Sequence, residues 1–291
     1  MSERVGRWWA SGASVRVSTP SGESFDLFVR VRGDGPTVTL LHGYPSSSFD
    51  WRTVGERLEG GWRVIVMDLL GFGRSEKPWP HVYGILEQAD LVEAVWAGLG
   101  VASTHLVVHD YSSSIGQELV SRGTAARLDS ITYLNGGIYP YLHRPTEAQQ
   151  LLRGPDGDEF ARAIDAGLFA SSVRATFGSG HPVPDEVVDD MWSTVSHDGG
   201  QRLAAGLLHY IDDRAVHGDR WIAAMEHTGV PSAFIWGPED PVSGAHVLDE
   251  VRSRMPGAPV FELEGVGHWP MLEDPDSVTA AIRATIEGSP G

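Results

Sequence analysis

Residues 104–119 read THLVVHDYSSSIGQEL. The opening THLVVH is an unbroken run rich in β-branched residues, the pattern of a strand buried on both faces. Helical character begins at 113, with almost no spacer. A strand that bends straight into a helix needs small residues at the turn, and Ser112 and Ser113 meet that need. The apex side chain is Asp110, placed to project into any cavity above the sheet. A carboxylate at a helix N-terminus stays ionised, favoured by the helix dipole and the free N–H groups. It needs no base to become a nucleophile. By itself, Asp110 reads equally as a helix N-cap.

Outward from this unit, strands are expected over 14–17, 25–31, 37–41, 62–68, 128–134, 232–236 and 260–263. Helices are expected over 51–58, 83–99, 113–122, 221–227, 247–255 and 276–286. Alternation of this kind argues for a mostly parallel, eight-stranded sheet flanked by helices. The rhythm breaks after the sixth strand, where helical fragments at 146–152, 159–168, 185–195 and 201–214 stand between Gly and Pro turns. The expected organisation is a core of 1–140 and 216–291, interrupted by a helical cap of 141–215.

The 291 residues carry 39 acidic and 22 basic side chains, a net charge of −17. Such a chain repels phosphate backbones, so nucleic acid and an anionic membrane surface are not expected partners. With no cysteine, thiolate metal sites, iron–sulfur clusters and cysteine nucleophiles are excluded. No 18-residue apolar run and no apolar core of signal-peptide length occurs, so a cytoplasmic protein is expected. His105 and His109 lie four apart on a strand, roughly 13 Å, too far for one metal. The pairs Asp189–Asp190 and Asp212–Asp213 read as solvated helix faces. Neither a metal nor an organic cofactor is expected.

Chemistry on a parallel sheet gathers beyond the carboxyl ends of its strands. The loop after 232–236 is GPEDPV, holding Glu239 and Asp240. The loop after 260–263 is EGVGHWP, where glycines and a proline fix the backbone around His268. Each alone reads as a surface turn. Together they give nucleophile, acid and histidine after successive late strands, in the order Asp110, Asp240, His268, which is the chain order of an α/β-hydrolase triad. Glu239 is the fallback acid. Asn135, after the sixth strand, is an amide and cannot supply the charge.

The motifs LHGYPSSSFDW (41–51), DLLGFGRSEKP (68–78), VHDYSSSIGQEL (108–119), WGPEDPV (236–242) and GHWPMLEDP (267–275) resemble α/β-hydrolases of the aspartate-nucleophile branch, similar to epoxide hydrolases and haloalkane dehalogenases. The stretches YLNGGIYPYLHRP (133–145) and HYIDDRAVHGDRW (209–221) look most like mesoderm-specific-transcript-like proteins. The likeness spans roughly 24–285. It implies an oxyanion hole from the Tyr44 and Tyr111 N–H groups, a cis peptide before Pro45, and a pocket bordered by His42, Pro45, Asn135 and Trp269.

Two positions depart from the family pattern. Ser112 stands where glycine is usual. Tyr111 stands where dehalogenases place a halide-gripping tryptophan. An epoxide hydrolase needs a proton donor above the nucleophile, and the family uses tyrosines. Tyr210 shares a face with Leu203 and Leu207 on the expected helix, and Tyr139 or Tyr141 are candidates for a second donor or the pocket.

The reading that follows is a hydrolase acting through a covalent alkyl-enzyme ester on Asp110. It would turn a small apolar epoxide and water into a vicinal diol. A haloalkane or haloacid dehalogenase is the alternative, and a non-catalytic binding protein on the same fold is a third.

Overall fold

The computed structural model of the protein describes residues 1–124 and 126–288. Eight strands form one sheet: β1 (Ala13–Ser18), β2 (Ser24–Arg32), β3 (Thr37–Leu41), β4 (Arg63–Met67), β5 (Ser103–His109), β6 (Arg127–Leu134), β7 (Ser232–Trp236) and β8 (Val260–Glu262). Their order is β1-β2-β4-β3-β5-β6-β7-β8. β1 and β2 pair antiparallel, β2 pairs antiparallel with β4, and the remaining pairs are parallel. The central strands are buried almost throughout, as their unbroken apolar runs require. The carboxyl ends of β5, β6 and β7 therefore open side by side on one edge.

Two apolar cores form, one on each face of the sheet. One packs Val92, Trp96, Ile115 and Tyr133 on the side of helices Ile85–Gly98 and Tyr111–Arg122. The other packs Val54, Leu58, Val278 and Ile282 under helices Arg52–Leu58 and Pro275–Gly288.

Helix Glu3–Ala10 was not expected from the sequence. Ser2 caps it, and Val5, Trp8 and Trp9 turn one stripe inward. The Trp9 indole donates to Asp68 Oδ2 at 3.2 Å, and Arg4 reaches Asp190 at 2.8 Å. Asp190 is consequently buried, not on a solvated face.

Between β6 and β7 the chain forms helices Glu147–Leu152, Gly157–Ala163, Ala166–Arg174, Asp185–Val195 and Ala204–Leu207, with a 3-10 stretch at His197–Leu203. The helix expected over 159–168 is two, because the Asp165 side chain accepts from the Leu168 amide and starts a new one. The helices expected over 201–214 and 221–227 are differently divided: one continuous helix runs Tyr210–His227. The expected boundary at 215/216 falls inside it. Gly218, inside this helix, faces Pro140 so closely that a Cβ would stand 2.9 Å from the proline ring.

Candidate active site

Asp110 ends β5 in a conformation that L side chains rarely adopt, φ 47°, ψ −111°. Such strain persists only where surrounding structure enforces it. Ser112 supplies part of that enforcement. It is fully buried, and its hydroxyl accepts from the His109 amide at 2.9 Å and reaches the Leu41 carbonyl at 2.9 Å. The serine that departs from the family pattern therefore ties the bend to β3. Asp110 makes no regular N-cap bond to its helix.

One oxygen, Oδ2, accepts from the Tyr44 amide at 2.9 Å. The Tyr111 amide also bonds the carboxylate. The Tyr44–Pro45 peptide is cis, as the resemblance implied. Gly43 makes the approach possible: a Cβ there would lie 2.8 Å from Asp110 Cβ and 2.7 Å from His109 Nδ1. The other oxygen, Oδ1, faces His268 Nε2 at 3.9 Å. His268 Nδ1 is 2.8 Å from Asp240 Oδ2. Three side chains distant in sequence thus stand in one line, each almost wholly buried.

Asp240 is held from several sides. Asn135 Nδ2 donates to Oδ2 at 3.1 Å, Ser243 donates at 2.7 Å, and the Val242 amide donates to Oδ1 at 2.8 Å. Asn135 also exchanges two bonds with Gly237, at 2.7 and 2.8 Å. It carries no charge, yet it fixes the residue that does. Burial works against the Asp240 carboxylate, but the imidazole of His268 and these donors win, lowering it to about 2. Burial likewise opposes the His268 cation. Asp240 overrides it, Asp110 adds, and the imidazole is raised to about 9. Burial raises Asp110, against His268 and the two amides. Glu239 lies on the surface, where it binds the Ser179 amide and hydroxyl, and does not reach His268.

Sequence reading missed the supports of the histidine loop. His109 Nε2 is 2.7 Å from the His268 carbonyl. Burial drives His109 well below its usual range, so it is neutral, with Nε2–H as donor. Glu273 accepts from the amides of Gly178 (2.7 Å), Gly267 (2.8 Å) and Trp269 (2.9 Å), gripping both flanks of His268. Both were written in the quoted motifs, but nothing in their spacing marks a clamp.

Tyr210 opens helix Tyr210–His227 and is buried, its ring 4.8 Å from that of Tyr111. Burial pushes its phenol above the ordinary range; the Asp110 charge adds to this and Arg214 opposes it. Tyr44 neighbours the same charges, and its hydroxyl donates to the Ala204 carbonyl at 3.3 Å.

Tyr139 and Tyr141 are not brought to the nucleophile. Tyr141 is largely exposed and donates to Glu250 at 2.6 Å, while Tyr139 faces Glu226 and Arg254. Glu250 and Arg254 sit on helix Ala245–Arg254; the Tyr141 ring leans outward to it, while the Tyr139 ring stays fully buried on its Arg254 side.

His42 and Trp269 stand behind the site. His42 accepts from the Leu69 amide at 3.0 Å and donates to the Gly43 carbonyl at 2.8 Å, clipping the ends of β3 and β4 together. Trp269 lies edge-on to His268 at 5.0 Å and bonds Thr176 at 2.8 Å.

A surface hollow of about 470 Å³, bordered by Pro231, Ser232, Met255 and Pro259, lies at the amino ends of β7 and β8, far from Asp110. Among the described residues, no cluster of His, Cys, Asp or Glu could hold a metal ion, and no helix is long and apolar enough to cross a membrane.

Comparison with known proteins agrees with this architecture. Residues 36–275 match the family described as alpha/beta hydrolase fold. LipZ of Mycobacterium tuberculosis (strain ATCC 25618 / H37Rv), provisionally named a hydrolase, is 38% identical over 97% of this chain and 96% of its own. The human mesoderm-specific transcript homolog protein is 37% identical over 85% of this chain and 77% of its own. Among solved structures, the haloalkane dehalogenase DatA from Agrobacterium tumefaciens C58 superposes with a TM-score of 0.77 at 19% identity, covering 95% and 97% of the two chains. The chain belongs to the alpha/beta hydrolase fold family and is a hydrolase by that membership.

Proposed function

We propose that the protein hydrolyses epoxides through an alkyl-enzyme ester on Asp110. The observation that carries this reading is the division of labour within one carboxylate: Oδ2 rests on the Tyr44 amide while Oδ1 is free toward the histidine. A serine at the bend would have meant acyl transfer; a carboxylate there attacks saturated carbon.

In the first step Oδ1 attacks an oxirane carbon and the C–O bond breaks. The departing oxygen takes the Tyr210 proton, an alkoxide being more basic than a phenolate. The first turn of helix Tyr210–His227, where the chain leaves the inserted helices, holds this donor over Asp110. The Arg214 guanidinium, beside the Tyr210 ring at 5.8 Å, offsets the charge left on the phenol.

Ester formation removes the Asp110 charge. The His268 cation loses one of its supports, passes its proton through solvent to the Tyr210 phenolate and becomes a base. It then deprotonates a water that attacks Asp110 Cγ. Negative charge gathers on Oδ2, where the amides already point, a placement worth about 3–4 kcal/mol per donor in acyl-transfer enzymes. Collapse releases the diol and regenerates the carboxylate. His268 is left as the imidazolium it began as. No cofactor enters the balance.

The test is the His268→Gln variant incubated with styrene oxide and weighed intact. An adduct of the epoxide's mass on the peptide containing Asp110 is expected, absent in Asp110→Asn. Normal turnover by His268→Gln without an adduct refutes the mechanism, and halide release from bromoalkanes without diol formation moves the reading to dehalogenation.

A further inference from the structure

Arg214 is a buried cation without a counter-ion in contact. It is 3% exposed, and its Nε and Nη2 have no hydrogen-bond partner. The nearby acids are engaged elsewhere. Asp212 pairs with Arg153, Asp213 accepts from the Ile85 amide at 2.7 Å, and Glu118 holds Arg122, Arg220 and the Trp221 indole. Asp110 acts on Arg214 through space, but its own oxygens face the Tyr44 amide and His268. An uncompensated buried charge is costly to fold around.

The way the guanidinium is held indicates what it is for. At Gly137 a Cβ would stand 2.4 Å from Nη2 and 2.6 Å from both Cζ and Nη1. The Gly137 backbone therefore packs directly against the group, and Nε and Nη2 are both buried. The two unpartnered nitrogens, Nε and Nη2, form the side-on fork that matches the two oxygens of a carboxylate. Gly137 follows β6 by three residues, and Tyr210 stands one helical turn before Arg214, over Tyr111. Arg214 therefore lies beside Tyr210, to which it also hydrogen-bonds, and near enough to Asp110 for the two charges to interact.

We infer that the substrate carries a carboxylate, seated on Nε and Nη2 of Arg214, with the electrophilic carbon presented to Asp110. Presentation of the carbon to Asp110 rests on the hydrolytic reading; the anion seat stands on the buried fork. It amends the wholly apolar substrate expected from the sequence.

The experiment separates seat from chemistry by using unreactive ligands first. Phenylacetate and the isosteric phenylacetamide are titrated into the wild-type protein by calorimetry. The acid is expected to bind about 10- to 100-fold more tightly, the value of a charge-assisted fork over a neutral contact. Arg214→Gln should abolish the preference, and Arg214→Lys should restore only part of it. Equal binding of acid and amide by the wild type, or a preference that survives Arg214→Gln, overturns the inference. So does bromide binding at Arg214 where phenylacetate does not.

In the His268→Gln background, oxirane-2-carboxylate should alkylate Asp110 faster than its amide, with the difference lost on adding Arg214→Gln. An acid preference with no adduct from either epoxide leaves the seat standing and removes the Asp110 mechanism. An adduct from the amide with no acid preference does the reverse.

Discussion

Replacing Asp110 by asparagine should reset the basicity of His268. The substitution keeps the shape of the side chain and removes its charge, as the ester intermediate would. The closest approach is 3.9 Å, from Asp110 Oδ1 to His268 Nε2. Coulomb attraction at that distance is about 1 kcal/mol at the dielectric constant of water and about 4 kcal/mol at an effective constant near 20. At 1.36 kcal/mol per pH unit, that is about one to three units. Losing an anion destabilises the imidazolium, so the imidazole should fall from about 9 into the range of about 6 to 8.

Long-range nitrogen–proton spectra of the imidazole, assigned by comparison with His268→Gln, measure this directly. The chain has 12 histidines, so the assigning variant is needed. An unchanged titration in Asp110→Asn would refute the idea that ester formation converts His268 from acid to base.

The same imidazole couples stability to alkaline pH. Its proton is held to about 9 in the fold, against 6.5 ordinarily, so its contribution is complete below about 6.5 and disappears as pH rises through 9. The difference corresponds to about 3 kcal/mol, read as a falling Tm between those limits. Asp240→Asn should flatten that fall, and a Tm that drops equally in the variant contradicts the assignment. Gly43→Ala should abolish activity while leaving a folded chain, because the new methyl would collide with Asp110 Cβ; turnover within tenfold of wild type, with unchanged circular dichroism, would show that the close approach is not needed. Ser112→Ala strands the buried His109 amide and should cost about 1–3 kcal/mol in urea melts, and a loss under 0.5 kcal/mol would mean that the serine does not tie the bend.

The eight strands were legible because each is a compact run rich in β-branched and aliphatic residues, and because each ends in a glycine-, proline- or acid-marked loop. Asp110, Asp240 and His268 were legible from order: each follows a late strand, and the fold brings those strand ends together. Arg214 was not, because an arginine on a helix ordinarily points to water, and only the close approach of Gly137 reveals that this one does not. Asp190 was misjudged for a similar reason. Its partner, Arg4, lies at the far end of the chain on a helix whose short Val5–Trp8–Trp9 stripe is faint in sequence. Tyr139 and Tyr141 sit beside the right strand end, but their orientation depends on Glu226, Glu250 and Arg254, which no local pattern connects to them.

Helix Tyr210–His227 spans about 27 Å, and its far half is rooted in the core. Trp221 bonds Glu118 at 2.5 Å, and Met225 touches Gln117. The phenol and the guanidinium stand at the tip of a beam whose foundation is laid against helix Tyr111–Arg122, with the Arg153–Asp212 pair as a surface tie to the shorter helices. Those shorter helices can therefore be exchanged, in evolution or by a protein engineer, to reshape the entrance without re-aiming the groups that meet the reacting bond.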